Sequence, residues 1–403
     1  METAHAIVIG AGPGGLAAAA TLTKAGLDPV VLERSAHIGA RLRTYYDRLR
    51  LESPSWLNNL PGYRIPRELG RWVARDAFVE YLERYVGRCR LDVRSGVMVQ
   101  RIGRSEDGWE VTTSTGDWRT PYLIIATGYN NVPYIPPWPG LDGFAGALTH
   151  AAAFRNGRPF QGQDVLVVGA GNSGAEIALI LAEEGARRVR LSVRTPPHIA
   201  PRQAFGMPAV LGAVMVRRLP ARAADLILGG VARLVIGDLT RHGLRKPPGG
   251  IYTQYLRNKV TPILDTGFVG ALKRGAVEIV SAVEGFDGGQ VVLADGSRHS
   301  PDAIVAATGY RRGLDALVGH LGVLTPDGDP AAHGARCAPG APGLHFIGYT
   351  HPFSGNIREI GIDARKIAHA IAKDRRRQLR PRTAPEPVAA GRSAAYATSD
   401  LDH

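Results

Sequence analysis

The stretch that decides the fold is AHAIVIGAGPGG, residues 4–15. Ala4 to Ile9 form an apolar run that predicts a buried strand, and a helix is predicted from Leu16 to Ala25. A second apolar strand, Pro29 to Leu32, completes a βαβ unit. A GxGxxG pattern at the turn from the first strand to the helix is typical of a dinucleotide-binding fold.

Each glycine of this first loop has a physical task in such a fold. Gly10 permits the tight turn, Gly12 lets the backbone approach a pyrophosphate, and Gly15 allows the helix to pack closely on the strand. The helix N-terminus adds partial positive charge, and a carboxylate at the end of the second strand can accept hydrogen bonds from a ribose diol. The predicted dinucleotide site therefore includes Gly10, Ala11, Gly12, Pro13, Gly14, Gly15, Glu33 and Arg34.

The glycine pattern occurs a second time, after the apolar strand Asp164 to Val168. A second dinucleotide is therefore expected, and the next strand, Val189 to Val193, ends in Arg194 without an acidic residue. Because an arginine there favours a 2′-phosphate, the expected nucleotide is NADPH. The alternative is that Arg194 is a solvated surface residue and that the site takes either nucleotide. The candidate residues are Gly169, Gly171, Asn172, Ser173, Gly174 and Arg194.

Two further strands end in the same triplet, Ala126-Thr127-Gly128 and Ala307-Thr308-Gly309. Beside the two glycine loops, these triplets indicate where the chain changes domain, and Thr127 joins the candidate cofactor-binding residues. The predicted fold is α/β, with two Rossmann-like dinucleotide-binding domains of the three-layer ββα type, the second inserted into the first. The expected domains are 1–150, 151–308 with a helical insertion, 309–373, and a disordered tail at 374–403.

Composition excludes several other classes of protein. The net charge is +13, but the arginines are scattered and no aromatic-basic nucleic-acid motif accompanies them, so no nucleic-acid partner is expected. Cys89 and Cys337 form no CxxC pair, which argues against a disulfide scaffold, a metal site and a dithiol redox centre. No leader-like segment or run of about 18 apolar residues is present, so a cytoplasmic protein without a membrane span is expected.

Helices are predicted at two other places. Residues 67–86 show Trp72, Phe78, Tyr81 and Leu82 at a spacing that predicts one buried face. Residues 205–240 are predicted to be mainly helical, apolar and interspersed with arginines. This basic, apolar stretch could rest on a membrane surface, but packing against the second nucleotide domain explains it with fewer assumptions.

A fourth motif lies between the first Ala-Thr-Gly strand and the second glycine loop. It reads FxGxxxHxxxF and comprises Phe144, Gly146, His150 and Phe154. By itself it is compatible with a packed linker in which His150 is an ordinary hydrogen-bonded histidine. Between two GxGxxG loops, however, it resembles the signature of the flavin-containing, class B monooxygenases.

Within that family the chain resembles the plant YUCCA-type monooxygenases over about residues 4–372. The segments that carry this resemblance are VLERS (31–35), RTYYDRLRL (43–51), EYLERY (80–85), GDLTRHGLRKPP (237–248), TPILDTG (261–267) and DAIVAATGY (302–310). The resemblance implies that FAD binds at the first glycine loop with Glu33 and that NADPH binds at the second loop with Arg194. His150 belongs to the signature beside the domain junction and joins the candidate cofactor-binding residues, and no proton transfer is assigned to it.

The resemblance also implies a reaction. NADPH reduces FAD, O2 adds to the reduced flavin, and the resulting C4a-(hydro)peroxide transfers one oxygen atom to a small-molecule substrate. In YUCCA-type enzymes the substrate is a 2-oxo acid, indole-3-pyruvate, which loses CO2 and becomes indole-3-acetate. By analogy, the loops Ser53 to Pro66, with Asn58 and Asn59, and His351 to Asn356 are expected to approach the flavin or the substrate.

Two departures from the family pattern concern the flavin side. The family usually has a tryptophan a few residues after Gly39, where this chain has Ala40, Arg41 and Leu42, so the substrate could differ. The Gly-Asp pair that many FAD proteins have before the last helix is replaced by Gly348 and Tyr349. The competing functions are N- or S-oxygenation of amines and sulfides, NADPH-dependent reduction without oxygen transfer, and cofactor binding without turnover. The oligomeric state and the catalytic residues are left open.

Overall fold

The structure is a computed structural model that describes residues 1–378. The α-helices of this part of the chain are α1 (Pro13–Lys24), α2 (Ala40–Arg43), α3 (Arg75–Cys89), α4 (Asn172–Glu183), α5 (Ala209–Val216), α6 (Ala221–Val235), α7 (Ile251–Asn258), α8 (Phe268–Lys273), α9 (Asp315–Val318) and α10 (Asn356–Gln378).

The strands of the same residues are β1 (Glu2–Thr3), β2 (Ala6–Ile9), β3 (Pro29–Glu33), β4 (Asp92–Ser95), β5 (Val99–Ser105), β6 (Gly108–Thr113), β7 (Gly116–Thr120), β8 (Leu123–Ile125), β9 (Val132–Pro133), β10 (Ala147–His150), β11 (Asp164–Val168), β12 (Arg188–Ser192), β13 (Ile199–Pro201), β14 (Gln203–Ala204), β15 (Met207–Pro208), β16 (Ile263–Asp265), β17 (Glu278–Val280), β18 (Val283–Asp287), β19 (Gln290–Leu293), β20 (Arg298–His299), β21 (Ala303–Ala306), β22 (Tyr310–Arg311) and β23 (Leu344–Phe346).

The first unit is built on a parallel sheet with strand order β23-β8-β2-β3-β4. Because side chains alternate along a strand, β2 contributes to two cores. Val8 packs with Leu16 in a core between the sheet and α1, α3 and α10. Ile7 and Ile9 pack with Trp109 in a second core, under the sheet β1-β7-β6-β5. The unit therefore has three layers, and its central strands are apolar on both faces.

The second unit repeats this arrangement on the parallel sheet β10-β21-β11-β12-β17. Val165 and Val167 face α4 and α8, whereas Leu166 and Val168 face the antiparallel sheet β18-β19-β20. Four consecutive apolar residues, Val165 to Val168, are expected in a strand only where both faces of the sheet are covered. The prediction of two α/β dinucleotide-fold units is confirmed.

The chain passes between the two sheets twice. All strands of the second sheet lie in sequence between β8, which ends at Ile125, and β23, which begins at Leu344. The two passages contact each other, since β9 pairs with β22 and Tyr310 lies opposite Pro133. The two Ala-Thr-Gly triplets, residues 126–128 and 307–309, immediately precede these passages.

Two helix boundaries differ from the sequence-based prediction. The helix expected from residue 67 begins at Arg75, because a 3-10 turn ends at Gly70, whose φ of 78° is not helical. Trp72 therefore lies outside α3, whereas Phe78, Tyr81 and Leu82 are buried as predicted. Near the C-terminus, α10 continues to Gln378, so the domain boundary expected at residue 374 lies within a helix. The remainder of the expected tail, residues 379–403, lies outside the described residues.

Candidate cofactor and substrate site

The first glycine loop has no room for a side chain at Gly10 and Gly15, and it has open space beside Gly12. Gly10 has a φ of +107°, and a Cβ there would lie 2.6 Å from the carbonyl oxygen of Ala126. A Cβ on Gly15 would lie 1.8 Å from the Gly10 oxygen. At Gly12, by contrast, a Cβ would meet no protein atom within 4 Å. The loop is therefore closed against the protein and open at Gly12, as a pyrophosphate cradle requires.

The second loop has the same geometry. Gly169 has a φ of +111°, and its Cβ would lie 2.5 Å from the oxygen of Ala307. A Cβ on Gly174 would lie 1.8 Å from the Gly169 oxygen, and the space beside Gly171 is open. Ala126 and Ala307 immediately follow β8 and β21 and are the first residues of the two Ala-Thr-Gly triplets. The triplets therefore form the wall against which the glycine turns are closed. The structure supplies this physical reason for the recurrence of the triplets.

Glu33 is held in place at the carboxyl end of β3. Its side chain is buried, Oε2 accepts a hydrogen bond from the amide of Ala11 at 2.7 Å, and Oε1 accepts one from Ser35 at 2.9 Å. Each carboxylate oxygen has a further lone pair that can accept a hydrogen bond from a ribose hydroxyl. The neighbouring Arg34 is exposed and donates to Asn131 at 3.1 Å.

Thr127 contacts the residue that replaces the usual acidic one near the last helix. The hydroxyl of Tyr349 lies 2.7 Å from Thr127 Oγ1 and accepts a hydrogen bond from the Thr127 amide at 3.1 Å. Burial raises the pKa of Tyr349 to about 12, so the phenol stays neutral. Tyr349 thus links β8 to the segment before α10 through hydrogen bonds, without a charged side chain.

The second loop presents polar groups of different availability. Asn172 Oδ1 accepts a hydrogen bond from the Leu264 amide at 2.9 Å, so this side chain joins α4 to β16. Ser173 is half-buried in the first turn of α4. Arg194, just beyond β12, is exposed and has no carboxylate within 4.0 Å among residues 1–378. Its guanidinium is available to an external anion.

His150 has both ring nitrogens occupied by the backbone. Nδ1 accepts a hydrogen bond from the Ala152 amide at 3.0 Å, and Nε2 lies 3.0 Å from the Gly309 carbonyl oxygen. Nε2 therefore carries the proton and donates it. Burial lowers the pKa of His150, which keeps the ring neutral. The side chain joins the end of β10 to the second Ala-Thr-Gly triplet through these two hydrogen bonds.

Arg41 occupies the segment that departs from the family pattern. Its guanidinium carbon lies over the rings of Tyr45 and Tyr310, 5.2 Å and 4.7 Å from their centroids. Its Nε and Nη2 atoms are buried and have no hydrogen-bond partner in the described residues. Buried donors of this kind are costly unless a ligand or water satisfies them. They fit a cofactor or substrate with anionic or carbonyl oxygens at the junction of the two units.

A cavity of about 720 Å³ lies between the units, and its walls are mainly apolar. Its volume is within the range of small-molecule sites, about 300 to 1,000 Å³. The two loops expected near the flavin or substrate both reach it, one through Ser53 and Asn58 and the other through His351 to Asn356. Asn59 is absent from its lining and donates to Trp56 instead. Helices α5 and α6 form the opposite wall.

A cluster of ionisable side chains lies at the cavity, and sequence reasoning missed it. Glu52 lines the cavity and is reachable by water within it, yet protein surrounds the carboxyl group, and this desolvation raises its pKa to about 7. Burial also raises the pKa of Glu176, which accepts a hydrogen bond from Tyr46 at 2.7 Å. Arg202 donates to the Leu51 carbonyl at 2.7 Å, and its charge partly offsets both carboxylates.

The signal for Glu52 was present in the sequence. It immediately follows the segment RTYYDRLRL, residues 43–51, which carries part of the family resemblance. Its partners come from distant segments, because Glu176 belongs to α4 and Arg202 follows β13. No spacing rule brings these residues together.

The duplicated glycine loop on two three-layer units defines the class of oxidoreductases that use two dinucleotides. A sequence profile for pyridine nucleotide-disulphide oxidoreductases matches residues 7–204. The indole-3-pyruvate monooxygenase YUCCA1 of Oryza sativa subsp. japonica is 35% identical over 352 residues, which cover 86% of this chain and 86% of that protein.

Solved structures show the same fold. A flavin-containing monooxygenase from Stenotrophomonas maltophilia superimposes with a TM-score of 0.71 at 24% identity, covering 93% of this chain and 99% of that one. Cyclohexanone monooxygenase from Rhodococcus sp. Phi1 bound to NADP+ gives 0.68 at 22% identity, with 93% and 85% covered.

The chain belongs to the flavin-containing, class B monooxygenase family. It is an NADPH-dependent flavin monooxygenase with FAD and NADPH as cofactors, so the family prediction from the sequence is confirmed. Within residues 1–378, no group of three or more His, Cys, Asp or Glu side chains could hold a metal ion. None of the helices in this part of the chain has the length and apolar character needed to cross a membrane.

Proposed function

We propose that the chain oxidises a 2-oxo acid with an apolar or aromatic side chain, such as indole-3-pyruvate, to the acid one carbon shorter. The substrate, O2, NADPH and one proton give the shorter acid, CO2, water and NADP+. The observation that carries this proposal is the apolar cavity between the two units, which adjoins the ionisable cluster. The 35% identity of the chain to an indole-3-pyruvate monooxygenase indicates the class of substrate.

The proposal includes a domain assignment. Residues 1–150 and 309–373 form the FAD domain, and residues 151–308 form an NADPH domain inserted into it, with α5 and α6 as its helical insertion. Two geometric facts support this: each unit has its own open glycine cradle, and all strands of the second sheet lie between β8 and β23. Residues 374–378 belong to α10 and thus to the FAD domain.

The cofactor residues follow from the same geometry. FAD would be held by the first loop, with its pyrophosphate at Gly12 and a ribose at Glu33, and by Arg34 and Thr127. NADPH would be held by the second loop, with its pyrophosphate at Gly171 and its 2′-phosphate at Arg194. His150 would act indirectly, since both of its nitrogens bind backbone and fix the passage between the domains.

The bound flavin would accept a hydride from NADPH and carry the chemistry by which one atom of O2 is transferred to the substrate and the other leaves as water. The protein residues would then have three tasks. The apolar walls exclude water, Arg41 offers two free donors to an anionic or carbonyl oxygen, and Glu52 can hold a proton near neutral pH. Hydrolysis in the style of a Ser-His-Asp triad has no part in this scheme.

The test is product formation with indole-3-pyruvate, NADPH and air, measured as indole-3-acetate and CO2 per NADPH consumed. Catalase is included, because free hydrogen peroxide decarboxylates 2-oxo acids without an enzyme. Indole-3-acetate that persists with catalase supports the proposal. Product that disappears with catalase would mean that the enzyme only releases hydrogen peroxide.

A matched set of substrates separates the competing oxygenations. Phenylpyruvate and 4-methyl-2-oxopentanoate test other 2-oxo acids, and benzylamine and methyl phenyl sulfide test N- and S-oxygenation. Oxides of the latter two with no shortened acid would contradict the proposal while leaving the family assignment intact.

A further inference from the structure

Exposed apolar side chains are concentrated in one segment of the chain. Ten of the fourteen large apolar residues that are exposed in residues 1–378 lie between residues 205 and 260. They are Phe205, Met207, Met215, Leu219, Leu226, Ile227, Leu234, Val235, Leu256 and Val260. Single exposed apolar residues are ordinary, but a cluster of this kind marks an interaction surface. Ile236 and Leu239 pack in the core of the second unit, as expected for this segment, but the ten exposed side chains do not.

Helix α6 shows the arrangement most clearly. Of its fifteen residues only Ala224 is buried, while Leu226 and Leu234 are 79% and 73% exposed. These two leucines are eight residues apart and lie on one face of the helix. Arg222 and Arg233 are exposed and lie four residues before and seven after Leu226, so they border the same apolar face. An apolar stripe edged by arginines and turned outward is typical of helices that lie in a membrane interface.

The charge of the segment specifies the kind of partner. Residues 205–260 contain nine Arg and Lys and two Asp, a net charge of +7 out of +13 for the whole chain. One of the two acids is already committed, because Asp225 Oδ1 accepts hydrogen bonds from the amides of Tyr252 and Thr253 at the start of α7. A second copy of this chain would bring like charges together. An anionic surface would be attracted.

Phe205 is placed on this surface at a conformational cost. The strands β14 and β15 are joined by a turn of two residues, Phe205 and Gly206, with φ values of 50° and 75°. Turns of this kind favour asparagine or aspartate at the first position, since a bulky residue is strained at positive φ. The aromatic ring is nevertheless 79% exposed. Its position at the tip of a hairpin suits insertion among lipid headgroups and acyl chains.

The same surface forms the mouth of the substrate cavity. Phe205, Met207, Met215, Leu219 and Ile227 are exposed and also line the cavity of about 720 Å³. A surface bound here would cover the opening and receive apolar molecules directly from it.

We propose that the face formed by residues 205–260 docks this enzyme on an anionic lipid bilayer, with Phe205 and α6 in the interface and the cavity mouth toward the lipid. The docking does not depend on which substrate the enzyme oxidises. Apolar burial and attraction of the basic residues to anionic headgroups together supply the binding free energy.

The experiment is flotation of the full-length, FAD-loaded protein with phosphatidylcholine vesicles, with and without phosphatidylglycerol. Binding is expected with the anionic vesicles, and about 0.5 M salt should reduce it strongly. The double variant Leu226→Gln and Leu234→Gln should bind roughly tenfold or more weakly. Arg222→Ala and Arg233→Ala should each weaken binding roughly fivefold.

The matched control is Met98→Gln, which removes an exposed apolar residue outside the segment and should bind as the wild type does. Far-UV circular dichroism and FAD content establish that each variant is folded. Absence of flotation with anionic vesicles at low salt overturns the proposal. It is equally overturned if sedimentation shows a dimer that Leu226→Gln with Leu234→Gln dissociates, since the face would then be a contact between copies.

Discussion

Replacement of Arg194 by alanine should lower the preference for NADPH over NADH about tenfold. Arg194 is exposed, lies just beyond β12 and has no carboxylate within 4.0 Å among the described residues. Its removal should therefore change the free energy of unfolding by less than about 0.5 kcal/mol, as for other surface positions.

The size of the effect follows from the interaction that is lost. A hydrogen bond to a charged group contributes about 1.5 to 3 kcal/mol, and the exposure of Arg194 places it at the lower end of that range. A loss of about 1.4 kcal/mol corresponds to a tenfold change in an equilibrium constant. NADH has no 2′-phosphate, so its kcat/KM should stay nearly constant.

The assay is the initial rate of oxidation of each nucleotide over a range of concentrations, in the presence of the organic substrate. Arg188→Ala is the matched control, because Arg188 begins β12, whereas Arg194 lies just beyond the other end of that strand, roughly 20 Å away. Equal losses with NADPH and NADH, or no loss with either, would refute the assignment of Arg194 to the 2′-phosphate.

Three further predictions concern the fold and the site. Gly15→Ala should abolish folding or FAD retention, because its Cβ would lie 1.8 Å from the Gly10 oxygen, whereas Gly12→Ala should fold normally and lose FAD. The melting temperature and the flavin-to-protein absorbance ratio distinguish the two variants. Glu52→Gln should melt at a higher temperature than the wild type at pH 8 and at the same temperature at pH 4.5. The pKa of Glu52 in the folded protein, about 7, lies above the ordinary 4.5, so the wild type loses the stability associated with the protonated carboxyl as pH rises between these values. Equal differences in melting temperature at both pH values would contradict this. His150→Phe should cost about 1 to 3 kcal/mol in chemical unfolding and leave the pH dependence of activity unchanged, since the ring holds backbone groups and transfers no proton; a shifted pH profile would assign it a proton-transfer role.

The family and the glycine loops could be predicted because their evidence is local. The last glycine of each loop is required because a Cβ there would collide with a backbone oxygen five residues earlier in the chain. The separation would be 1.8 Å both from Gly15 to Gly10 and from Gly174 to Gly169. Apolar runs that form strands buried on both faces are equally local, and Asp164–Val168 was predicted with its correct bounds. Helix α3 was predicted in type but not in its start, because the conformation of Gly70 depends on the loop that precedes it.

The ionisable cluster at the cavity could not be predicted from the sequence, because it depends on contacts between distant segments. The cluster comprises Tyr46, Glu52, Glu176 and Arg202, which come from three parts of the chain, and packing in the folded protein desolvates each of them. The pKa of Glu52 therefore could not be inferred from its neighbours in sequence.

By itself, the sequence determined the family, the two nucleotide folds and the glycines that shape them, because periodicity and backbone conformation are set by residues close together in the chain. The tertiary structure alone decided which side chains share the cavity and that α6 turns its leucines outward. The reason is that burial depends on how the whole molecule packs. An apolar face on a helix has the same sequence pattern whether it packs inside the protein or binds another surface.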